Sequence, residues 1–321
     1  MDRRFLPVIG TAVLSLALIT GCQNAPTVNQ VSSAMVSNVV LPSYSSLVKS
    51  SEDLASALNA LSKDPTSQNL KKARNKWKLA RKTWELTETW AYGPAETLDF
   101  DPNLDDWPVS TNELSAALSN NFSSQTFSRL DTTSRGFHGI EYVLFAKPDF
   151  TTQELAYLKA AGTDLENNAK ELFESWSGPG GFGVTAVEAN PAGAIADILA
   201  GMQGCLEEVA DGKLGTPFTE LDKGELESVF SGNTGSDVLN NILGVKLAWE
   251  KSKLQEYVQE RNFSLANTLT NQINTSVKLA KDLPSRLSDK INDTSTQRDV
   301  RRLIGALRIA AETTESVAKS I

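Results

Sequence analysis

The stretch Leu70-Lys71-Lys72-Ala73-Arg74-Asn75-Lys76-Trp77-Lys78-Leu79-Ala80-Arg81-Lys82-Thr83-Trp84-Glu85-Leu86-Thr87 decides the fold class. Leu70, Ala73, Trp77, Ala80, Trp84 and Thr87 step by three and four, with Lys and Arg filling many of the positions between. That spacing buries one stripe of a helix and leaves the rest to water. Val300, Leu303, Leu307, Ala310, Thr314, Val317 and Ile321 repeat the pattern at the other end. Further stripes run through 44–61, 154–176, 192–209, 238–258 and 263–283. Alternation with period two is scarce, and Val and Ile do not cluster as strands. The reading is an all-α protein.

Helix breakers organise the chain. Tyr92-Gly93-Pro94 ends the Trp-rich helix and opens an acid-rich irregular stretch that runs to Pro108. Ser177-Gly178-Pro179-Gly180-Gly181-Phe182-Gly183 is a loop that no helix crosses. A Gly-rich linker over 177–190 would divide the body into 41–176 and 191–321, each with enough helix for a four-helix bundle. A second irregular stretch, 211–235, lies in the second half much as 92–108 lies in the first. The expected architecture is two four-helix-bundle-like halves, a pseudo-repeat, packed side by side.

The N-terminus reads as a lipoprotein signal peptide over 1–21. Arg3 and Arg4 form a basic start, Leu6 to Ile19 is an uncharged apolar run too short to span a bilayer, and Ile19-Thr20-Gly21-Cys22 resembles a lipobox. Cys22 is therefore the expected lipidation site, carrying acyl groups such as palmitate. Gln23 stands where an inner-membrane retention signal would have Asp, which favours the outer membrane, facing the periplasm. Residues 22–40, rich in Ser, Asn, Val and Pro, fit a flexible tether. Cys205 is the only other cysteine, so no disulfide framework is available and a small buried apolar role suits it. The net charge of −8 argues against nucleic acid and welcomes cations.

Chemistry is bounded by subtraction, because His138 is the only histidine. This removes helices of the H-E-x-x-H type and sites needing two imidazoles. On a helix, His138 and Glu141 share a face, and such a pair can ligate one metal ion. More carboxylates would have to converge: Glu85 and Glu88 on the Trp-rich helix, and Glu96, Asp99, Asp101, Asp105 and Asp106 in the acidic loop. One imidazole with several carboxylates suits iron, manganese, calcium or zinc better than copper(I). The bland alternative stays open at this point: His138 as a core histidine bonded to Glu141, and Glu85 and Glu88 as a solvated face with Arg81 pairing Glu85.

Gly136-Phe137-His138-Gly139-Ile140-Glu141-Tyr142-Val143-Leu144-Phe145 closely resembles the G-x-H-x-x-E-Y-x-L-F signature of the imelysin family. Trp77, Ala80-Arg81, Trp84, Glu88 and Tyr92-Gly93-Pro94 are similar to that family's W-x-x-A-R-x-x-W-x-x-x-E-x-x-x-x-G-P helix, and Asp106-Trp107-Pro108-Val109 to its D-x-W-P segment. In the second half, Asp211 to Pro217, Glu227-Ser228, Ser231 and Asp237 to Gly244 resemble later family stretches. The resemblance implies an imelysin-like domain over 41–321, two bundles related by duplication, and a His/Glu pocket. It also implies an envelope protein of iron uptake or homeostasis, working with an iron permease or receptor. The expected site is His138, Glu141, Glu88, Asp106 and Glu85, binding a metal ion, iron first and zinc or calcium as alternatives. The family is also catalogued as metallopeptidase, so a metal-dependent envelope peptidase is the alternative. The missing second histidine speaks against it, since a zinc peptidase normally has three protein ligands plus a general base. Some relatives bind acidic polysaccharide, which the acidic charge disfavours.

Overall fold

A computed structural model describes residues 25–119 and 122–321 and contains no strand among them. The signal peptide and Cys22 lie outside the described residues. Nine helices carry the architecture: α1 (Val28–Ala34), α2 (Leu41–Lys63), α3 (Ser67–Glu85), α4 (Gly136–Phe145), α5 (Thr152–Trp176), α6 (Pro191–Glu207), α7 (Thr234–Lys251), α8 (Phe263–Lys281) and α9 (Thr294–Ser320). Short helical turns fill the connections.

Two rings of four helices result. In the first, α2 packs on α3, α3 on α4, α4 on α5 and α5 back on α2. In the second, α6 packs on α7, α7 on α8, α8 on α9 and α9 back on α6. Both close in the same cyclic order, but the irregular segments fall at different places. The first interrupts the ring between its second and third helices, and the other between its first and second. The rings join where α3 packs on α7 and where the turn Glu88–Trp90 packs on α6.

The seam residues fill the interior. Trp77 and Trp84 are fully enclosed, and the indole of Trp77 donates to the Phe137 carbonyl at 3.0 Å, fixing α4 against α3. Gly136 opens α4 with φ +56°, and a Cβ there would collide with the Leu104 backbone carbonyl, so glycine is required on both counts. Thr151 and Glu154 form a capping box that starts α5.

Two stretches differ from the sequence reading. The expected tether, 22–40, is helical from Val28 onward: α1 starts at a capping box of Thr27 and Gln30 and runs through a π-helical segment, Met35–Val40, into α2. Val31, Met35 and Val39 form one row of period four and Val36 and Val40 another, and all are buried. The intervening Ser and Asn residues masked that period, which the wider π turn also displaces. The expected linker, 177–190, is packed as well. Its Gly183–Glu188 segment is helical, and Phe182 sets its ring 4.9 Å from that of Trp176.

Candidate metal site between the two bundles

The junction of the rings is charged. On α3, Arg81 and Glu85 lie one turn apart and are both fully buried, so this is not the solvated pair that sequence suggests. The Arg81 guanidinium pairs with Glu85 and Asp105, reaches Glu227 at 2.7 Å and Asp237 at 3.9 Å, and lies over the Phe137 ring. Burial and loss of water lower its basicity, but the surrounding carboxylates outweigh that and hold it charged. Lys213 enters from a π-helical segment, Glu208–Gly215, with its ammonium 3.1 Å from Glu85 and 3.0 Å from Glu227. The Asn241 amide donates to the Glu85 side chain at 2.7 Å and to its carbonyl at 2.9 Å.

His138 completes the group. Its Nδ1 is 3.5 Å from Glu141, and its Nε2 is 3.1 Å from Asp105 and 3.5 Å from Glu227. The other Glu141 oxygen accepts the Ser231 backbone N–H at 2.7 Å, which ties α4 to the second ring. Asp105 is held in turn by the Trp84 indole at 2.6 Å. Burial and Arg81 push the imidazole toward neutrality, yet contact with Asp105 and Glu141 keeps its pKa well above the ordinary histidine value. Asp105 is pushed up by burial but lowered overall by Arg81 and His138, and Glu227 is lowered well below the usual range once Lys213 and Arg81 offset its burial.

Beside this group opens a cleft of about 700 Å³, lined by Glu88, Asp101, Asp105, Asp106, Glu208 and Glu227 among others. Of the sequence candidates, His138, Glu141 and Glu85 meet at the charged junction. Glu88 faces the cleft and comes near Glu85 and Asp105. Asp106 does not join His138: it accepts from the Thr132 hydroxyl, and its neighbour Asp105 takes the position beside the imidazole. The reason is helical phase. The short helix Phe100–Asp105 turns Asp105 inward, and Asp106 begins the extended exit. Lys213, Glu227 and Asp237 are additional members whose only signal in the sequence is their place in the family-like stretches of the second half.

Donor atoms of Asp105, His138 and Glu227 lie within 4.8 Å of one another, and so do those of Glu85, Glu88 and Asp105. His138 Nε2 is enclosed and makes no well-aligned hydrogen bond despite its two carboxylate neighbours. An enclosed imidazole nitrogen between two carboxylates suits a hard or borderline cation such as ferrous iron, manganese or zinc.

Two helical rings joined at a His/carboxylate centre define a class, and the chain belongs to it: the imelysin family model matches residues 40–313. The chain is 30% identical over 303 residues to iron-regulated protein A of Synechococcus elongatus, covering 87% of this chain and 82% of that protein. Among solved structures, an iron-regulated protein A precursor from Parabacteroides distasonis superposes with a TM-score of 0.81 at 21% identity, covering 92% of this chain and 97% of its own. An imelysin-like protein from Psychrobacter arcticum gives 0.74 at 15% identity, covering 91% and 95%.

Proposed function

We propose that this protein is a lipid-anchored envelope protein that binds an iron-type cation at His138, Asp105 and Glu227 and contributes to iron uptake or homeostasis. The observation that carries this is the enclosed His138 Nε2 facing two carboxylates without a well-aligned hydrogen bond. Similarity to an iron-regulated protein supports the choice of iron. Glu141 orients the imidazole from its other nitrogen, the usual outer partner of a metal-binding histidine. Asp106 and Glu208 lie along the cleft and would attract the cation on its way in, and Glu88 and Asp101 would join them on losing their protons. Anchoring is through Cys22, with the body facing the periplasm and a permease or receptor as the partner that exchanges the ion.

Arg81 and Lys213 have a definite place in this reading. They balance the carboxylates in the ion-free protein, so a cation entering the site competes with Lys213 for Glu227. A proton must also leave His138, so binding should strengthen as pH rises. For the peptidase alternative, Glu141 would have to serve as general base, but it is held between His138 and the Ser231 amide.

The test is calorimetry of tag-free protein with ferrous iron under anaerobic conditions, and with manganese and zinc. Wild type should bind, and His138→Ala and Glu141→Gln should each weaken binding by about 10–100-fold with the helical spectrum intact. Equal binding by the variants would make His138 a core residue.

A further inference from the structure

A second cavity lies at the end of the molecule where the described chain begins. It is a groove of about 260 Å³ walled by Val28 in the first turn of α1, by Ala192, Ala196 and Ala200 on one row of α6, and by Ala318 and Ile321 at the end of α9. No charged side chain lines it. The three alanines of α6 and Ala318 are exposed, and Ile321 is 39% exposed. Tyr257 closes one side, with the Arg261 guanidinium stacked 3.5 Å from its ring centre. Two residues further on stands Phe263, 65% exposed.

We propose that this end of the protein rests on the bilayer, with lipid acyl chains at the headgroup boundary filling the groove. The inference rests on the reading of Cys22 as the lipidated residue. Because the helix starts at Val28, five residues separate it from Cys22, and six Cα-to-Cα steps span at most about 20 Å. The anchor therefore enters the membrane close to the groove that Val28 lines. The tether expected over 22–40 would have left the body's orientation free. A partly exposed apolar surface without charged side chains at that spot is satisfied by acyl chains, and the exposed Phe263 is a residue type that settles at such an interface. The chain's net charge of −8 makes attraction to anionic headgroups a poor alternative source of binding.

Orientation follows from α6, which serves both cavities. Ala192, Ala196, Leu199 and Gln203 face the groove, while Gly201, Gly204, Cys205 and the following Glu208 face the acidic cleft. At 3.6 residues per turn these stripes lie on roughly opposite sides of the helix. With the groove on the lipid, the cleft opens away from the membrane into the aqueous phase.

The experiment uses the full lipidated protein in liposomes of phosphatidylethanolamine and phosphatidylglycerol, with nitroxides placed singly through Ala196→Cys, Ala318→Cys and Gly212→Cys. All three positions are exposed, so the fold should tolerate the labels. The ratio of oxygen to nickel-chelate collision rates should rise severalfold on reconstitution at Ala196 and Ala318 and stay unchanged at Gly212. The pattern should persist in high salt. Intact mass of the purified protein reports acylation of Cys22. An acylated protein whose groove labels behave like the Gly212 label overturns the docking alone. A protein without acyl mass overturns the anchor and the docking together.

Discussion

Asp101 and Asp105 lie one turn apart on the same short helix, yet their surroundings drive them in opposite directions. Both are penalised by burial. At Asp105, Arg81 and His138 more than reverse that penalty, and the carboxyl sits below its ordinary value. At Asp101, the penalty stands, Asp105 and Glu208 add to it, and Lys213 and Arg81 offset it only in part. Its pKa is pushed up to about 7. The charged junction and the cleft beside it repeat the contrast. Glu227 touches both Lys213 and Arg81 and is lowered, while Glu88, partly enclosed on the cleft wall, is raised well above the usual range. A built-in cation in contact lowers Asp105 and Glu227, yet contact is not sufficient: Glu85, against Arg81 and Lys213, and Asp237, 3.9 Å from Arg81, stay raised because burial and neighbouring carboxylates outweigh the cations there.

The largest break of this comparison is Arg81→Met. Arg81 is enclosed among Glu85, Asp105, Glu227 and Asp237, and removing one partner of a buried network leaves uncompensated charge. A loss of about 3–5 kcal/mol in denaturant unfolding is expected. A variant within about 1 kcal/mol of wild type would mean that the junction carboxylates are neutralised by other means.

Lys213→Met is the intermediate case, and its two effects have opposite signs. Stability should fall, because Glu85 and Glu227 lose an ammonium at 3.1 and 3.0 Å. Affinity for zinc or manganese should rise by about tenfold, or ~1.4 kcal/mol, because the entering cation no longer competes with the lysine. Calorimetry reads the affinity and thermal unfolding the stability. A variant with unchanged or weaker affinity would show that Lys213 does not compete with the entering ion.

The helices were legible because their seams have one period. Trp77, Ala80 and Trp84 sit in the core where the three-and-four spacing puts them. Residues 28–40 resemble a tether in sequence because Val31, Met35, Val36, Val39 and Val40 follow a period that a π segment shifts, inside a stretch with no charge contrast to mark its wet face. At the site, the His138–Glu141 pair was legible because both residues lie on one helix. Asp105 and Asp106 could not be separated, since only the end of the short helix decides which faces inward. Glu227, Lys213 and Asp237 reach the junction from the other ring, a proximity set by the packing of α3 on α7 that no local spacing encodes.

The smallest expected effect belongs to Asp101→Asn, and it isolates the comparison best because Asp101 has no close cation to lose. A carboxyl whose folded pKa is raised from about 4 to about 7 binds its proton more tightly in the folded state. The stability it confers is fully present below the unfolded value and is lost as pH rises through the folded one. Wild type should thus lose stability between pH 4 and pH 7 through this group, and the uncharged amide should not. At pH 4 the variant and wild type should unfold at nearly the same denaturant concentration. At pH 8 the variant should be more stable by about 1–2 kcal/mol, less than the full shift implies because the group is partly exposed to solvent. Unfolding curves at the two pH values give the difference directly. If Asp101→Asn gains nothing at pH 8, the Asp101 carboxyl ionises there without cost, and the cleft is as well compensated as the junction.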